Sequence, residues 1–386
     1  MSAQRRTPGS QASLREANRQ RIIDAVKKHG GLTQVELATV TGLSPATVSN
    51  IVRELSAGGV VNTSQSIRSG RRAQHVTIAH AVGLVAGVHF AARHMRIAVG
   101  DVSATIVAEN HMPLARDHRA DNEMDRVTIL LADMLDSLDA GLPDLIALGI
   151  SIPAPIDTAT GVIARPGIMR GWDGLPIAET MERRIQRPVF ADNAANLSAL
   201  AEHRLGAARG KEDSVFVEVD DGVGAGIVIG GHLYRGGSGT AGELGHTVIR
   251  ENGPLCRCGN RGCLEAVASG RSLLRDLAEV HGALKLNDIV VKAMSGDDAC
   301  VRALGDAGQS LGIAIANLCN ILAPDRVVVG GEVGRAGEML LGPIRRELER
   351  SVLTTPGSLP ELVPGQLGRR ASVMGAILNA AERAQA

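Results

Sequence analysis

The sequence predicts a basic winged helix-turn-helix head followed by a body of two stacked α/β lobes. Two of the observations behind this are patterns: three short helices with capping signals precede a basic hairpin, and a strand–turn–strand unit followed by alternating helices and strands then occurs twice. The third is charge. Residues 1–80 hold 11 Lys and Arg against four acids, a balance of +7, while the rest of the chain carries 30 basic and 37 acidic residues. A net charge of zero therefore hides a basic head on an acidic body, which points to a polyanion partner for the head alone. The 386 residues, 44% hydrophobic with 46 glycines and few aromatics, suffice for two or three domains. No run of 18 apolar residues and no apolar segment near the start exists, so the reading is a cytoplasmic protein without a membrane span or secretory signal.

Taken in order, residues 1–13 are polar and read as a disordered arm, and residues 14–80 as the head. Ile22, Ile23 and Val26 recur at helical spacing in a first helix from Leu14 to about His29, ended by Gly30-Gly31. Thr33-Gln34-Val35-Glu36 is a capping box that opens a second helix, stopped at Gly42. Ser44-Pro45 supplies an N-cap and a first-turn proline for a third helix running to about Ala57. Its buried face is Val48, Ile51, Val52 and Leu55, leaving Ala46, Thr47, Asn50 and Arg53 outside. Gly58-Gly59 ends it, and strands Val60–Ser66 and Gln74–Ala79 form a wing with Arg68, Arg71 and Arg72 between them. A small helical protein-interaction domain is the alternative; the basic wing and the charge favour DNA. Ser44, Thr47, Asn50 and Arg53 then sit on the DNA-facing side, with Thr47 and Asn50 facing base edges. Arg68, Arg71 and Arg72 would meet phosphate or the minor groove.

The body is read as a first lobe over 81–200, with the closing helix 372–384 packing on it, and a second over 201–371. Strands Leu84–Phe90, Met95–Val102 and Ala104–Asn110 precede a helix Asp121–Ala140 and a strand Leu145–Ile152. A helix Pro176–Arg184, a strand Pro188–Ala191 and a helix Ala194–Leu205 complete the unit. The restart brings strands Ser214–Val219 and Gly224–Ile229, helices near 270–282, 286–295, 298–323 and 335–351, and a strand Arg326–Val329. Trp172 either stacks on a ligand or fills the interlobe core. Asp192 reads as a turn or N-cap residue, and the glycine-rich Asp221–Gly226 as a tight hairpin without a ligand.

Three of the five cysteines, Cys256, Cys258 and Cys263, fall within eight residues, and His246 lies ten positions before the first. These are the ligand types of a closed tetrahedral zinc site, one ion per chain. A redox cysteine pair or reduced core thiols are the alternatives, disfavoured by the surrounding glycines and arginines and by the lack of a Cys-x-x-Cys signature. Zinc there would fix Glu243 and Glu265 by proximity, and a metal that positions carboxylates suggests a polyol site. Cys300 and Cys319 read as reduced and buried.

On Gly242-Glu243-Leu244-Gly245-His246, the Cys256/Cys258/Gly259/Gly262/Cys263/Glu265 array, Asp221–Gly226 and Val327–Gly331, the whole chain resembles the ROK family of repressors, open reading frames and sugar kinases. The head resembles that of its regulator branch. The resemblance implies an actin-like, ribonuclease H-like body, a zinc ion on His246, Cys256, Cys258 and Cys263, and sugar hydroxyls met by Asn193, Glu243, His246 and Glu265. The family's kinases have an Asp-x-Gly-x-Thr phosphate turn where this chain has His89-Phe90-Ala91-Ala92-Arg93. They also have Asn-Asp-x-Asn, whose Asp is the base, where this chain has Ala194. The expectation is a transcriptional regulator without a catalytic residue. It would be a homodimer or homotetramer, nucleoid-associated when bound to operator DNA, and would answer to a carbohydrate or sugar phosphate that alters the spacing of two heads. A bifunctional sugar kinase and regulator, or a sugar-binding scaffold that recruits a protein, are the rivals.

Overall fold

Thr33 opens the second head helix as the capping box requires. Its hydroxyl oxygen accepts Glu36 N–H at 3.2 Å, and the Glu36 carboxylate accepts Thr33 N–H at 2.8 Å. The structure, a computed structural model, describes residues 18–19, 21–26, 32–57, 61–68, 71–78, 83–115, 118–353 and 358–385. The expected arm 1–13, the stops Gly30-Gly31 and Gly58-Gly59, and the wing tip Ser69-Gly70 lie outside them.

The chain forms two compact units, one up to Leu84 and one from Val85. In the head, α1 (21–26), β1 (Leu32–Thr33), α2 (Gln34–Thr41) and α3 (Pro45–Ala57) precede the hairpin β2 (Val61–Arg68) and β3 (Arg71–Ile78), in sheet order β1-β3-β2. Ile22, Leu37, Val48, Ile51, Val52, Leu55, Val61 and Val76 form its core. At about 1.5–3 kcal/mol for each fully buried side chain, this cluster is what holds so small a unit together.

The body contains two five-stranded sheets of one topology. The first has order β6-β5-β4-β7-β8, from β4 (Leu84–Phe90), β5 (His94–Gly100), β6 (Ile106–Pro113), β7 (Leu145–Ile152) and β8 (Val189–Asn193). The second repeats it as β11-β10-β9-β12-β13, from β9 (Ser214–Val219), β10 (Val223–Ile229), β11 (His232–Tyr234), β12 (Arg326–Gly330) and β13 (Glu361–Pro364). In each, an antiparallel meander is extended by parallel strands: β9 pairs antiparallel with β10 and parallel with β12. The sequence shows eight of these ten strands. The two it misses are an edge strand of three residues and one that ends on Pro364, neither long enough for an alternating pattern.

Helices α4 (Ala120–Asp136), α5 (Ile177–Ile185), α6 (Ala194–Arg204), α11 (Asp298–Leu322), α13 (Glu338–Ser351) and α14 (Ala371–Ala384) cover the sheets, with shorter α7 (Leu264–Ala268), α8 (Gly270–Asp276), α9 (Ala278–His281), α10 (Leu286–Met294) and α12 (Gly331–Gly334) between. Val373 and Ile377 of α14 share a core with Val85, Ala98 and Ala147 of the first sheet. The packing is so close that a Cβ on Gly149 would lie 1.9 Å from the Ala376 carbonyl oxygen. Trp172 is fully buried, its ring 4.8 Å from Phe90 and 5.9 Å from His118, and so fills core. The reading of Trp172 as a stacking platform is thereby removed.

Asp192 is corrected too. Asn193 caps α6 by accepting Ala195 N–H at 2.8 Å. Asp192 accepts Asn193 N–H and the Asn196 amide, and pairs with Arg235 at 2.7 Å. The chain reaches Asn193 in extended conformation at the end of β8, so the residue after the expected one takes the cap.

Candidate functional site

The site is built where β10 meets the loop that follows it. Gly242 and Gly245 lie against the β10 backbone: a Cβ on Gly242 would come 2.0 Å from the Ala225 carbonyl oxygen, and one on Gly245 2.0 Å from that of Val223. Only glycine permits this approach, and Gly242 also has φ +87°. The segment is thus clamped to the sheet, and the residues between and after the glycines, Glu243 and His246, line a cavity of about 100 Å³. Asn193, from the end of β8, and Glu265, from α7, line the same cavity. All four expected sugar contacts therefore converge, although the sequence separates them by up to 72 positions.

Beside it, His246, Cys256, Cys258 and Cys263 each offer a donor atom within 4.8 Å of the others. Cys256 Sγ stands 3.6 Å from His246 Nδ1, and Cys258 Sγ 3.6 Å from Cys263 Sγ; none of the three thiols is in a disulfide. Zn–S bonds of about 2.3 Å in a tetrahedron give edges of roughly 3.8 Å, so the donor set fits one such ion. His246 directs Nδ1 at this cluster and Nε2 at Glu243, 3.9 Å from its carboxylate, so one imidazole touches both the metal cage and the cavity. Cys300 and Cys319 are free and buried, as expected, and burial pushes each thiol up to about 11.

Arg257 is a site residue that the sequence reading misses. It alternates with Cys256 and Cys258, and its guanidinium donates to both Glu265 oxygens at 2.7 and 3.0 Å. That alternation is a signal the sequence does carry. Glu265 also accepts Val223 N–H at 3.3 Å, and so is held from two sides. Burial, with the Glu265 charge beside it, pushes Glu243 up to about 7.

The hairpin turn of β9 and β10 is more than a bare turn: Asp221, Gly222, Val223 and Gly224 all line the cavity. A Cβ on Gly222 would lie 2.5 Å from the Glu265 carboxylate. Just before this turn stand Glu218 and Asp220. Burial, then the neighbouring Asp220, pushes Glu218 up to about 8, and burial raises Asp220 to about 6. Asp220 accepts Glu332 N–H at 3.1 Å and Asp221 N–H at 2.9 Å, placing its own carboxylate at the start of α12. A raised carboxyl stabilises the fold most below its ordinary value, and that contribution is lost as pH rises toward 8. Glu218→Gln should therefore gain melting temperature on wild type between pH 5 and pH 8.5, by about 2–4 °C, roughly the effect of 1 kcal/mol in a large domain. A pH-independent difference in scanning calorimetry would remove Glu218 as the cause.

On the other wall, His89 Nδ1 lies 2.9 Å from Ser151 Oγ, and burial, then His94, lowers its pKa to about 3. His89 is the last residue but one of β4, in the hairpin whose turn is Ala91-Ala92-Arg93, and no glycine is present there. Ala194 is 1% exposed and does not line the cavity.

In the head, Ser44 Oγ accepts Thr47 N–H at 3.2 Å and lies 2.8 Å from its hydroxyl, so these two first serve as the cap of α3, with Thr47 half-buried. Asn50 and Arg53 are exposed, the guanidinium donating to the Asn50 amide oxygen at 3.4 Å. Arg68 pairs in register with Arg71, and Ile67 with Arg72, at the outer end of the β2–β3 hairpin.

With this geometry in place, comparison with known proteins gives five findings. The ROK family model matches residues 85–383, and the model of winged helix-turn-helix DNA-binding domains matches residues 15–62. The xylose repressor of Bacillus subtilis is 30% identical over 95% of this chain and 95% of its own. A crystal structure of a ROK family transcriptional regulator, a homologue of the Escherichia coli Mlc protein, superposes with TM-score 0.70 at 24% identity over 96% of both chains. The ROK hexokinase of Thermus thermophilus superposes with TM-score 0.64 at 31% identity, over 78% of this chain and 99% of its own.

Proposed function

This chain belongs to the ROK family, and from that premise we propose that it is a sugar-responsive transcriptional regulator, a repressor of carbohydrate-metabolism genes. What carries the reading is one combination. A head with an exposed Asn50 and Arg53 on its third helix is joined to a body in which Asn193, Glu243, His246 and Glu265 line one cavity while Ala194 stands at the kinase base position.

The cleft is suited to hydroxyls. Glu265, fixed by Arg257, accepts hydrogen bonds from vicinal hydroxyls in a defined plane, and the Asn193 amide offers donors as well as an acceptor. One zinc ion per chain on His246, Cys256, Cys258 and Cys263 would hold the loop that carries Glu243 and Glu265, as a structural centre whose four positions are filled by protein. The protein acts in the cytoplasm as a homodimer or homotetramer, on the nucleoid when bound to operator DNA. No described helix is long and apolar enough to cross a membrane.

Phosphoryl transfer is absent in this reading. Ala194 has no base to offer, and the carboxylates of Asp220 and Asp221 line the cavity next to the His89–Arg93 hairpin, where a polyphosphate would need donors. Sugar-dependent ADP release by the purified protein would restore the kinase reading.

On DNA, Arg71→Ala and Arg72→Ala should weaken binding to all sequences and lower the salt slope by about 1 for each phosphate no longer neutralised. Asn50→Ala should cost about 1–3 kcal/mol at one base pair of the operator and relax specificity there. Equal weakening on operator and random DNA for Asn50→Ala would displace α3 from its reading role. The overall test is operator affinity by fluorescence anisotropy at fixed salt, with and without each of a panel of sugars. A bound sugar that leaves the affinity unchanged removes the sugar response and favours the scaffold.

A further inference from the structure

The cavity of about 100 Å³ does not end at the sugar contacts. A second cavity of about 480 Å³ adjoins it, and six residues, His89, Ala91, Ala92, Glu218, Asp220 and Asp221, line both. The two spaces therefore adjoin across these residues, and we read them as one cleft with a throat there. One wall of the throat is two alanine side chains at the tip of the β4–β5 hairpin; the other is the Asp220–Asp221 turn. At about 10–15 Å³ for each water that a cavity holds, the inner part takes on the order of seven to ten waters, the volume of a single sugar ring. The outer part holds several times that.

Charge in the outer cavity is already matched within the protein. Arg369 donates to both Glu332 oxygens at 2.7 Å, and Arg96 and Arg370 both pair with Glu109. Asp220 fills the Glu332 and Asp221 backbone N–H groups, donors that an incoming anion would otherwise use. Arg93 and Lys285 line the cavity from exposed positions, where an ion pair contributes little. An anionic ligand would meet the carboxylates of Asp220 and Asp221 without a free buried cation among the described residues in return. The remaining surface suits a neutral polyol: apolar Phe216, Leu284 and Leu286 on one side, and His94, His111 and Asn287 as hydrogen-bonding groups. Burial lowers both His94 and His111, which keeps the imidazoles neutral and able to donate and accept.

We propose that the effector is an uncharged extended saccharide, a disaccharide or glycoside. Its first ring lies against Asn193, Glu243, His246 and Glu265, and its second unit passes between Ala91-Ala92 and Asp220-Asp221 into the outer cavity. This rests on the sugar-site reading above, and it decides between the carbohydrate and the sugar phosphate that the sequence leaves open.

The test is isothermal titration of the full chain with glucose and xylose, with cellobiose, maltose and xylobiose, and with glucose 6-phosphate, repeated on Leu284→Trp, a position that lines the outer cavity and not the inner one. At least one disaccharide should bind about tenfold or more tighter than its monosaccharide, a step of roughly 1.4 kcal/mol, and glucose 6-phosphate should bind more weakly than glucose. Leu284→Trp, an indole placed in the outer cavity, should remove the disaccharide gain and leave monosaccharide affinity within about twofold. A monosaccharide that binds as tightly as every disaccharide, a phosphate that binds tighter than glucose, or equal weakening of both sugars in Leu284→Trp would overturn the proposal. Should that variant fail to melt cooperatively, the wild-type comparison alone decides. Failure of every saccharide to bind metal-loaded, cooperatively melting wild type would instead overturn the sugar site itself, and the extension with it.

Discussion

Cys263→Ser should empty the metal cage, lower the melting temperature by about 10 °C or more and abolish sugar binding in a single step. The size follows from what the cage does. Cys263 is fully buried, its sulfur is 3.6 Å from Cys258 Sγ, and it directly precedes α7, which carries Glu265. Structural zinc in small Cys/His sites contributes roughly 10–16 kcal/mol of apparent binding energy, and much of that disappears as folding energy when one thiolate is removed. Without the ion two thiols, the new hydroxyl and an imidazole are left packed together, Arg257 loses its fixed origin between two ligands, and Glu265 loses the clamp that aims it. Elemental analysis should read about one zinc per chain in wild type and near zero in the variant. Metal-free protein that melts and binds sugar like the loaded form would separate cage from cavity and end this account.

The parts of this site that sequence reveals are those where chemistry is written in neighbouring residues. Cys256, Cys258 and Cys263 announce a cluster of sulfur donors by spacing alone, and the glycines at 242 and 245 mark a loop pressed on a strand. The head is legible for the same reason: Thr33 and Glu36 cap each other locally, and Val48, Ile51, Val52 and Leu55 follow a helical period. What is not legible depends on registers between distant segments. Asp192 and Asn193 are adjacent and both are plausible caps; only the pairing of β8 with β7, which puts Asn193 opposite Ile152, decides which one starts the helix. Trp172 faces Phe90 because two segments 82 positions apart meet. The acidic wall of Glu218, Asp220 and Asp221 reads as a turn in sequence because its partners, Glu332 and the β4–β5 hairpin, lie more than 100 positions away on either side.

Glu265→Gln should leave operator affinity within about twofold of wild type while erasing its dependence on sugar. A coupling of about 1–3 kcal/mol, or 5–150-fold, is the size that two-state regulation of this kind requires. The substitution keeps the shape of the side chain but removes its charge. The two ion-pair bonds from Arg257, at 2.7 and 3.0 Å, become at best one bond from the charged guanidinium to a neutral amide oxygen, and the amide nitrogen turns a donor toward the guanidinium. A cavity deprived of its best-fixed acceptor should bind sugar at least about tenfold more weakly, the effect of losing hydrogen bonds to a charged group. Arg53 and Asn50 belong to the other compact unit, so basal DNA binding has no reason to change. Linkage adds a second, independent readout. If a sugar shifts wild-type operator affinity by some factor, saturating operator must shift sugar affinity by that same factor, and titration calorimetry with and without DNA measures it. Unequal factors would show that sugar acts through assembly or aggregation. A Glu265→Gln protein that still answers to sugar would place the sensing contact elsewhere in the cleft.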